Sequence, residues 1–310
     1  MPVARPRAVL RATPPWTYFV GSAVFHYLGP AFAVLLFATL APLAVAALRI
    51  WSAALVFVLW RRPWRALAGL DAGGRVTIAA WGVVLAAMNV CFYLAIARVP
   101  LATVAAIEFL PVIVLAALGA RTIRNLVALA AAIGGVHTLT ELRWDGEPLG
   151  LAFSFANAAL FAAYIVLAHR AARRPGVVSG IDGLALAMLV ASVAVAPLGL
   201  WQLAGAALGP VTLAAGLGVG ICSSVIPYVC DQLALARMAR STYALLVALL
   251  PATATVIGVV VLRQPFSAAE LAGVALVVFS VAVHRESRPA MAAAKKSVPI
   301  SEKEDTRCDT

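Results

Sequence analysis

Charged residues are scarce in this chain, and their scarcity decides the class of protein. Only 12% of the 310 residues are charged, whereas 63% are hydrophobic, and the mean hydropathy is +0.97. Soluble domains carry about a quarter charged residues, so an ordinary water-soluble fold is excluded. The apolar runs are long and lack the alternation of membrane β-strands, which excludes a β-barrel. We therefore predict an all-α integral membrane protein in contact with membrane lipid.

Motifs for catalysis and for metal binding are missing as well. The chain contains no HExxH, no GxSxG and no Walker-type glycine loop. Its four cysteines have neither a pairing pattern nor the spacing of metal ligands. The net charge of +11 comes from short basic clusters between apolar runs, not from one basic face. We expect no enzyme activity, no cofactor, no metal, no disulfide and no nucleic-acid partner.

One short pattern occurs twice in the chain. Residues 94–98 read LAIAR and residues 233–237 read LALAR, and each copy precedes an apolar run that contains one proline, Pro111 or Pro251. The offset of 139 residues (233 minus 94) is close to half of the chain. This indicates an internal duplication. Duplicated apolar halves are typical of secondary transporters.

The hydrophobic segments predict about ten membrane spans, since about 20 apolar residues cross a bilayer. Arginine clusters occupy alternate loops, which marks those loops and both termini as cytoplasmic. Five spans per half is an odd number, so the second half enters the membrane from the opposite side and the repeats are inverted. The predicted divisions are a cytoplasmic segment 1–15, a first five-helix repeat 16–145, a second five-helix repeat 146–285 and a disordered cytoplasmic tail 286–310. The predicted spans are 16–38, 42–60, 76–97, 101–119, 123–140, 149–169, 180–199, 210–235, 241–262 and 267–284.

Arg49 and Glu108 are the most conspicuous ionisable residues inside predicted spans. Arg49 follows Pro42 by seven residues and Glu108 follows Leu101 by seven residues, and both spans are predicted to begin outside. At a rise of 1.5 Å per residue, both residues lie about 10 Å below the outer surface. Ionisable groups at this depth indicate function or a buried pair. Two interpretations stay open: an ion pair that fixes helix register, or a substrate and proton site.

Further polar residues lie inside the predicted spans. Asn89 and Tyr93 are one helical turn apart and share a face, which suits either substrate binding or helix-to-helix hydrogen bonding. His26 precedes Pro30 by four residues, which suits a hinge beside an ionisable group or an interior histidine that is fully hydrogen-bonded. In the second half the candidates are Tyr164, Tyr228 and Asp231, the last also able to reach the cytoplasm beside Arg237.

Short runs in both halves of the chain match the pattern of a known family. They are Ala47-Leu-Arg49, Arg62-Pro-Trp-Arg65, Met88-Asn89, Phe92-Tyr-Leu94, Val99-Pro-Leu101, Ile107-Glu-Phe109, Ile226-Pro-Tyr228, Leu233-Ala-Leu235 and 242–251. In these runs the chain resembles the EamA-type transporters of the drug/metabolite transporter superfamily, and within it the bacterial threonine/homoserine exporters. The resemblance implies a bacterial inner-membrane, multi-pass exporter of small metabolites, with ten spans in two repeats and the proton as coupling ion, and it aligns Arg49, Asn89, Tyr93 and Glu108 with matching positions. The chain departs from the family at Leu250 and Gln264, where these exporters carry acids.

The expected function is export of a small neutral amino acid, threonine-like or homoserine-like, or of a related metabolite, by alternating access. A zwitterion requires a cation and a carboxylate at one depth, and Arg49 and Glu108 provide them. The alternative is efflux of drug-like or other amphiphilic solutes through the same fold, where Glu108 and the tyrosines bind a cation. A third possibility is a membrane-embedded enzyme or scaffold, with the polar pairs purely architectural. The sequence is compatible with either a monomer or a homodimer.

Overall fold

The computed structural model describes residues 14–119, 122–144, 147–172, 180–204, 206, 209–235 and 250–283. Within these ranges all regular structure is helical, which confirms the all-α prediction for the described residues. The helices are α1 (Pro15–Leu36), α2 (Pro42–Arg61), α3 (Trp64–Ala68), α4 (Ala72–Ile96), α5 (Leu101–Gly119), α6 (Ile123–Trp144), α7 (Pro148–Ala172), α8 (Gly180–Leu203), α9 (Pro210–Gly220), α10 (Ile226–Leu235), α11 (Leu250–Val260) and α12 (Ala268–Val283), with a π-helical turn (Ile221–Val225) joining α9 to α10.

Six helical stretches of the described residues are long and apolar enough to cross a membrane. The sixth continues from α9 through the π-helical turn into α10. Four further stretches are apolar but shorter, and they belong to α5, α6, α11 and α12. Their positions agree with the predicted spans, although most of the first half of the predicted ninth span lies outside the described residues. The six long stretches are Trp16–Leu36, Pro42–Arg61, Ala72–Ile96, Pro148–Ala171, Ile181–Leu203 and Pro210–Cys230.

Local residue chemistry explains where several helices begin. Prolines open α2 and α9, where the missing backbone N–H removes no helical hydrogen bond. Asp71 caps α4 by accepting a hydrogen bond from the Gly74 backbone nitrogen at 2.8 Å. At the start of α12, the Ser267 backbone N–H donates to Glu270 Oε2 at 2.8 Å, and the Glu270 backbone N–H donates to Ser267 Oγ at 3.1 Å. This reciprocal pair is a capping box. These ends are therefore determined by short-range sequence.

Close contacts between backbones hold the helices together where glycines lie between them. Gly135 of α6 lies against Gly273 of α12: a Cβ atom added to Gly135 would lie 2.7 Å from the Gly273 carbonyl oxygen. Helix backbones that approach this closely gain van der Waals contact where lipid offers no hydrophobic driving force. At one end of the bundle, the Arg61 Nε atom of α2 lies 2.6 Å from Asp182 Oδ1 of α8. This contact ties the two halves of the chain together.

The buried apolar residues form two large clusters, and the polar interior lies where they meet. One cluster includes Tyr27, Leu48 and Tyr93, and the other includes Ile50 and Met188. Arg49 falls between Leu48 and Ile50 in the sequence, so its backbone stands at the boundary between the clusters. Its side chain is 7% exposed there.

A candidate substrate site around Arg49 and Glu108

Arg49 is buried and is bound mainly by the π-helical turn of the second half. Its Nε donates to the Ser224 hydroxyl at 3.1 Å, and its Nη2 donates to the Ser223 backbone carbonyl at 3.1 Å. Its guanidinium carbon lies 5.6 Å from the ring centroid of Tyr93, close enough for a cation–π contact. The charge of Arg49 is thus solvated by protein groups from α4 and from the π-helical turn.

The π-helical turn is pressed closely against α1 and α2. A Cβ atom added to Gly29 of α1 would lie 2.7 Å from the Ser223 backbone nitrogen. A Cβ atom added to Gly220 would lie 2.7 Å from the Arg49 carbonyl oxygen. Wider i→i+5 turns interrupt the regular ladder of helical hydrogen bonds and are frequent at functional sites. Here the turn presents the Ser223 carbonyl to Arg49 while the Ser223 hydroxyl bonds back to the Val219 carbonyl at 2.6 Å.

Glu108 of α5 is also buried, at 7% exposure, but it does not pair with Arg49. Among the described residues the ion pair within 4.0 Å is Arg61 with Asp182, and Glu108 forms none. Arg49 nevertheless interacts electrostatically with Glu108. The sequence predicted that these residues share a depth; the structure brings them into one polar region without joining them.

Two buried groups near Glu108 have polar atoms without hydrogen-bond partners in the described part of the chain. The Asn157 side chain of α7 lies beside the Glu108 carboxyl group, yet neither its amide nitrogen nor its oxygen forms a hydrogen bond of regular geometry. Tyr27 of α1 is fully buried, interacts electrostatically with Glu108 and has an unpartnered hydroxyl. Buried polar groups are normally satisfied, so these atoms mark a place where a bound molecule or water would find partners.

Of the remaining first-half candidates, His26 lies in the same region and Asn89 bonds within its own helix. His26 is half-buried, contacts Tyr27 edge to face at 5.2 Å between ring centroids, and interacts electrostatically with Arg49. Asn89 is buried and donates to the Leu85 carbonyl of its own helix at 2.8 Å. Of the pair that shares a face of α4, Tyr93 therefore reaches Arg49, and the amide nitrogen of Asn89 is used within α4.

The second-half candidates lie elsewhere or are not described. Tyr164 packs against Trp81 and Phe161, with ring centroids 5.6 and 6.3 Å away, within the second apolar cluster. Tyr228 is half-buried and packs against the same cluster. The Asp231 side chain, and Arg237 with it, lie outside the described residues. The structure thus groups Arg49, Glu108, Tyr93 and His26, and it separates Tyr164 from them.

Sequence reasoning missed three residues of this region: Tyr27, Ser223 and Ser224. The two serines had one usable signal, since they are consecutive hydroxyl residues inside an apolar span. Nothing in the spacing of Tyr27 distinguishes it from an aromatic residue that fills the core.

Apolar helices that enclose a polar interior define a multi-pass membrane protein with an internal site, and no catalytic motif accompanies them in the sequence. One solved crystal structure has the same fold, with a TM-score of 0.56 and 19% identity over 90% of this chain and 99% of that chain. At that identity the likeness shows the fold alone.

Residues 148–284 match the EamA-like transporter family. The threonine/homoserine exporter RhtA of Escherichia coli strain K12 is 29% identical over 246 residues, which cover 78% of this chain and 81% of RhtA. The RhtA of Salmonella typhimurium strain LT2 is 28% identical over 246 residues, which also cover 78% of this chain and 81% of that protein. The predicted resemblance to EamA-type transporters is confirmed. The chain is thus similar to membrane transporters and not to enzymes, and its apolar helices are those of a multi-pass membrane protein.

Proposed function

We propose that this protein exports small neutral amino acids of the threonine and homoserine type, or related metabolites, by alternating access coupled to protons. The observation that carries the proposal is a buried cation and a buried carboxyl group in one polar region that are not paired with each other. Arg49 suits the carboxylate of an amino acid and Glu108 suits its ammonium group. The similarity to RhtA, a threonine/homoserine exporter, supports the same class of substrate.

Alternating access is supported by a two-fold pattern in the helix contacts. In the proposed first repeat, 16–145, α4 packs against α7 and α8 of the other half. In the proposed second repeat, 146–285, the counterpart of α4 is α9–α10, and it packs against α1 and α2. Because α7 and α8 are the counterparts of α1 and α2, the two sets of contacts are equivalent. This equivalence is expected of inverted repeats related by an axis in the membrane plane. Such halves are able to rock around a central site.

The proposed coupling uses Glu108 as a shared site for the proton and the substrate. An ionised Glu108 attracts the ammonium group of the substrate, whereas a protonated Glu108 has lost that charge. A proton entering from outside therefore displaces the substrate, and release of the proton inside restores the site. Both termini are proposed to lie in the cytoplasm, so export corresponds to substrate loading from that side.

The test is efflux from bacterial cells that lack their own amino-acid exporters. The cells are loaded with dipeptides that contain threonine or homoserine, and the amino acids that appear outside are measured. Expression of the wild-type chain is expected to accelerate efflux, and collapse of the proton gradient is expected to reverse that gain. Unchanged efflux, with the protein present in the membrane, would contradict the proposed substrate.

Glu108→Gln is the matching variant, because it keeps the shape of the side chain and removes its charge. We expect gradient-driven efflux to fall to the background of cells without the protein, while the amount of protein in the membrane stays constant. Glu147→Gln is the control, since Glu147 directly precedes α7 and lies about 15 Å along the helix axis from Asn157. Gradient-driven efflux that survives Glu108→Gln would remove Glu108 from the coupling mechanism.

A second candidate function is efflux of cationic amphiphilic solutes. The aromatic rings of Tyr27 and Tyr93 lie in the same polar region as Glu108, a combination that suits an organic cation through charge and cation–π contacts. Expression that raises tolerance to lipophilic cations, without tolerance to amino-acid analogues, would favour this function.

A further inference from the structure

Opposite charges buried near each other attract strongly, because the effective dielectric constant of a protein interior is far below that of water. Arg49 and Glu108 share one polar region and interact electrostatically, so collapse into an ion pair is the arrangement that simple electrostatics favours. Yet they form no ion pair within 4.0 Å. Other groups must therefore hold the guanidinium where it is.

The groups that hold it belong to the π-helical turn (Ile221–Val225). The Ser224 hydroxyl and the Ser223 carbonyl accept hydrogen bonds from Nε and Nη2, two adjacent nitrogens on one edge of the guanidinium. A guanidinium has five N–H donors. Among the described residues Nη1 forms no hydrogen bond, so donors on the other edge remain for a carboxylate.

The π-helical turn is a rigid support for this arrangement. Gly29 and Gly220 leave no room for a Cβ atom between the turn, α1 and α2. In this conformation the close packing of α1, α2 and α9 therefore keeps the turn beside Arg49. A hydrogen-bond acceptor on such a support positions the charge that it binds.

We propose that Ser224, together with the backbone carbonyl of Ser223, is a positioning site that holds the Arg49 guanidinium away from Glu108 and keeps both charges available to a zwitterionic substrate. This inference rests on the proposed function for the identity of the substrate. It assigns to the π-helical turn a role in substrate affinity. Ser224 acts through Arg49 and does not itself need to touch the substrate.

The first test is transport into inside-out vesicles, with the KM and kcat for threonine measured separately. Ser224→Ala is expected to raise the KM for threonine about tenfold, which is the scale of a hydrogen bond to a charged group, with a smaller change in kcat. Ser224→Thr keeps the hydroxyl group and is expected to retain the wild-type KM. Ser280→Ala is the control, because Ser280 is buried and, within the part of the chain that the structure describes, its hydroxyl donates only to the Val277 carbonyl.

A decarboxylated analogue of threonine separates positioning from general damage. The amine 1-amino-2-propanol has no carboxylate for Arg49 to bind, so in Ser224→Ala it loses only the free charge of Glu108, with which the released Arg49 pairs. Its inhibition constant against threonine uptake is therefore expected to rise in Ser224→Ala by a smaller factor than the KM for threonine. An equal loss of affinity for threonine and for the amine would overturn the proposal, as would an unchanged KM for threonine in Ser224→Ala.

A second measurement needs no transport and separates this inference from the proposed function. Thermal unfolding of the purified protein is compared for Ser224→Ala, Glu108→Gln and the double variant. We expect Ser224→Ala to lower the Tm less in the wild-type background than in the Glu108→Gln background, because the released Arg49 is able to pair with Glu108 only in the former. Additive effects would overturn the positioning role. If the Tm changes are not additive and the protein does not transport threonine, Ser224 positions Arg49 but threonine is not the substrate.

Discussion

Tyr27 places a hydroxyl group in the interior of the bundle without a hydrogen-bond partner among the described residues. An unpartnered buried hydroxyl costs free energy in the unliganded protein, because it has lost its water. Its ring is fully buried and contacts His26, so the ring alone accounts for the packing. A water molecule or a bound substrate would satisfy this hydroxyl, and its position near Glu108 leads us to predict the substrate.

At this residue scale we predict opposite effects of Tyr27→Phe on stability and on affinity. The Tm is expected to stay constant or to rise, because the variant removes an unsatisfied polar atom and keeps the ring. The KM for threonine is expected to rise about fivefold to tenfold, the scale of one neutral hydrogen bond. Vesicle uptake and thermal unfolding measure the two effects. A lowered Tm with an unchanged KM would make Tyr27 purely structural, and Tyr18→Phe near the start of α1 is the control.

At the scale of helices, close approach between α6 and α12 depends on individual glycines. Gly134 and Gly135 are neighbours in α6, but only Gly135 faces α12. A Cβ atom at Gly135 would lie 2.7 Å from the Gly273 carbonyl oxygen, whereas a Cβ atom at Gly134 would meet nothing within 4 Å. The two positions therefore separate the effect of packing from the effect of helix propensity.

We predict that Gly135→Ala destabilises the protein by roughly 1–3 kcal/mol, the usual cost of forcing an atom into a packed contact. Gly134→Ala is expected to leave stability constant or to raise it by about 0.5–1 kcal/mol, because alanine is the better helix former. Thermal unfolding in detergent, followed for both variants, measures the difference. Equal Tm values for the two variants would mean that α6 and α12 do not touch at Gly135.

At the scale of the whole molecule, the proposed orientation makes a simple prediction about labelling. Arg98 lies between α4 and α5 and Arg65 lies on α3, and both are exposed at opposite ends of α4. In a background without native cysteines, Arg98→Cys is expected to react with a membrane-impermeant thiol reagent in intact cells. Arg65→Cys is expected to react only after the cells are permeabilised. The reverse pattern would invert the whole topology and make the proposed export an import.

The sequence by itself determined the class of protein and the positions of its helices. Hydropathy, prolines and arginine clusters are local properties, and the helices α2, α5 and α7 begin within one residue of their predicted positions. The sequence also predicted that Arg49 and Glu108 lie in the interior at one depth, since depth depends only on distance along a helix. The resemblance to EamA-type transporters followed from residues spread over both halves.

Only the tertiary structure decided what Arg49 binds. Ser224 is 175 residues away from Arg49 in the chain, and their contact depends on how α2 packs against a turn of the other half. No spacing of residues in 221–225 predicted the π-helical form of that turn. Equal depth made an Arg49–Glu108 pair possible, but the rotation of each helix about its own axis determined that Arg49 faces two serines.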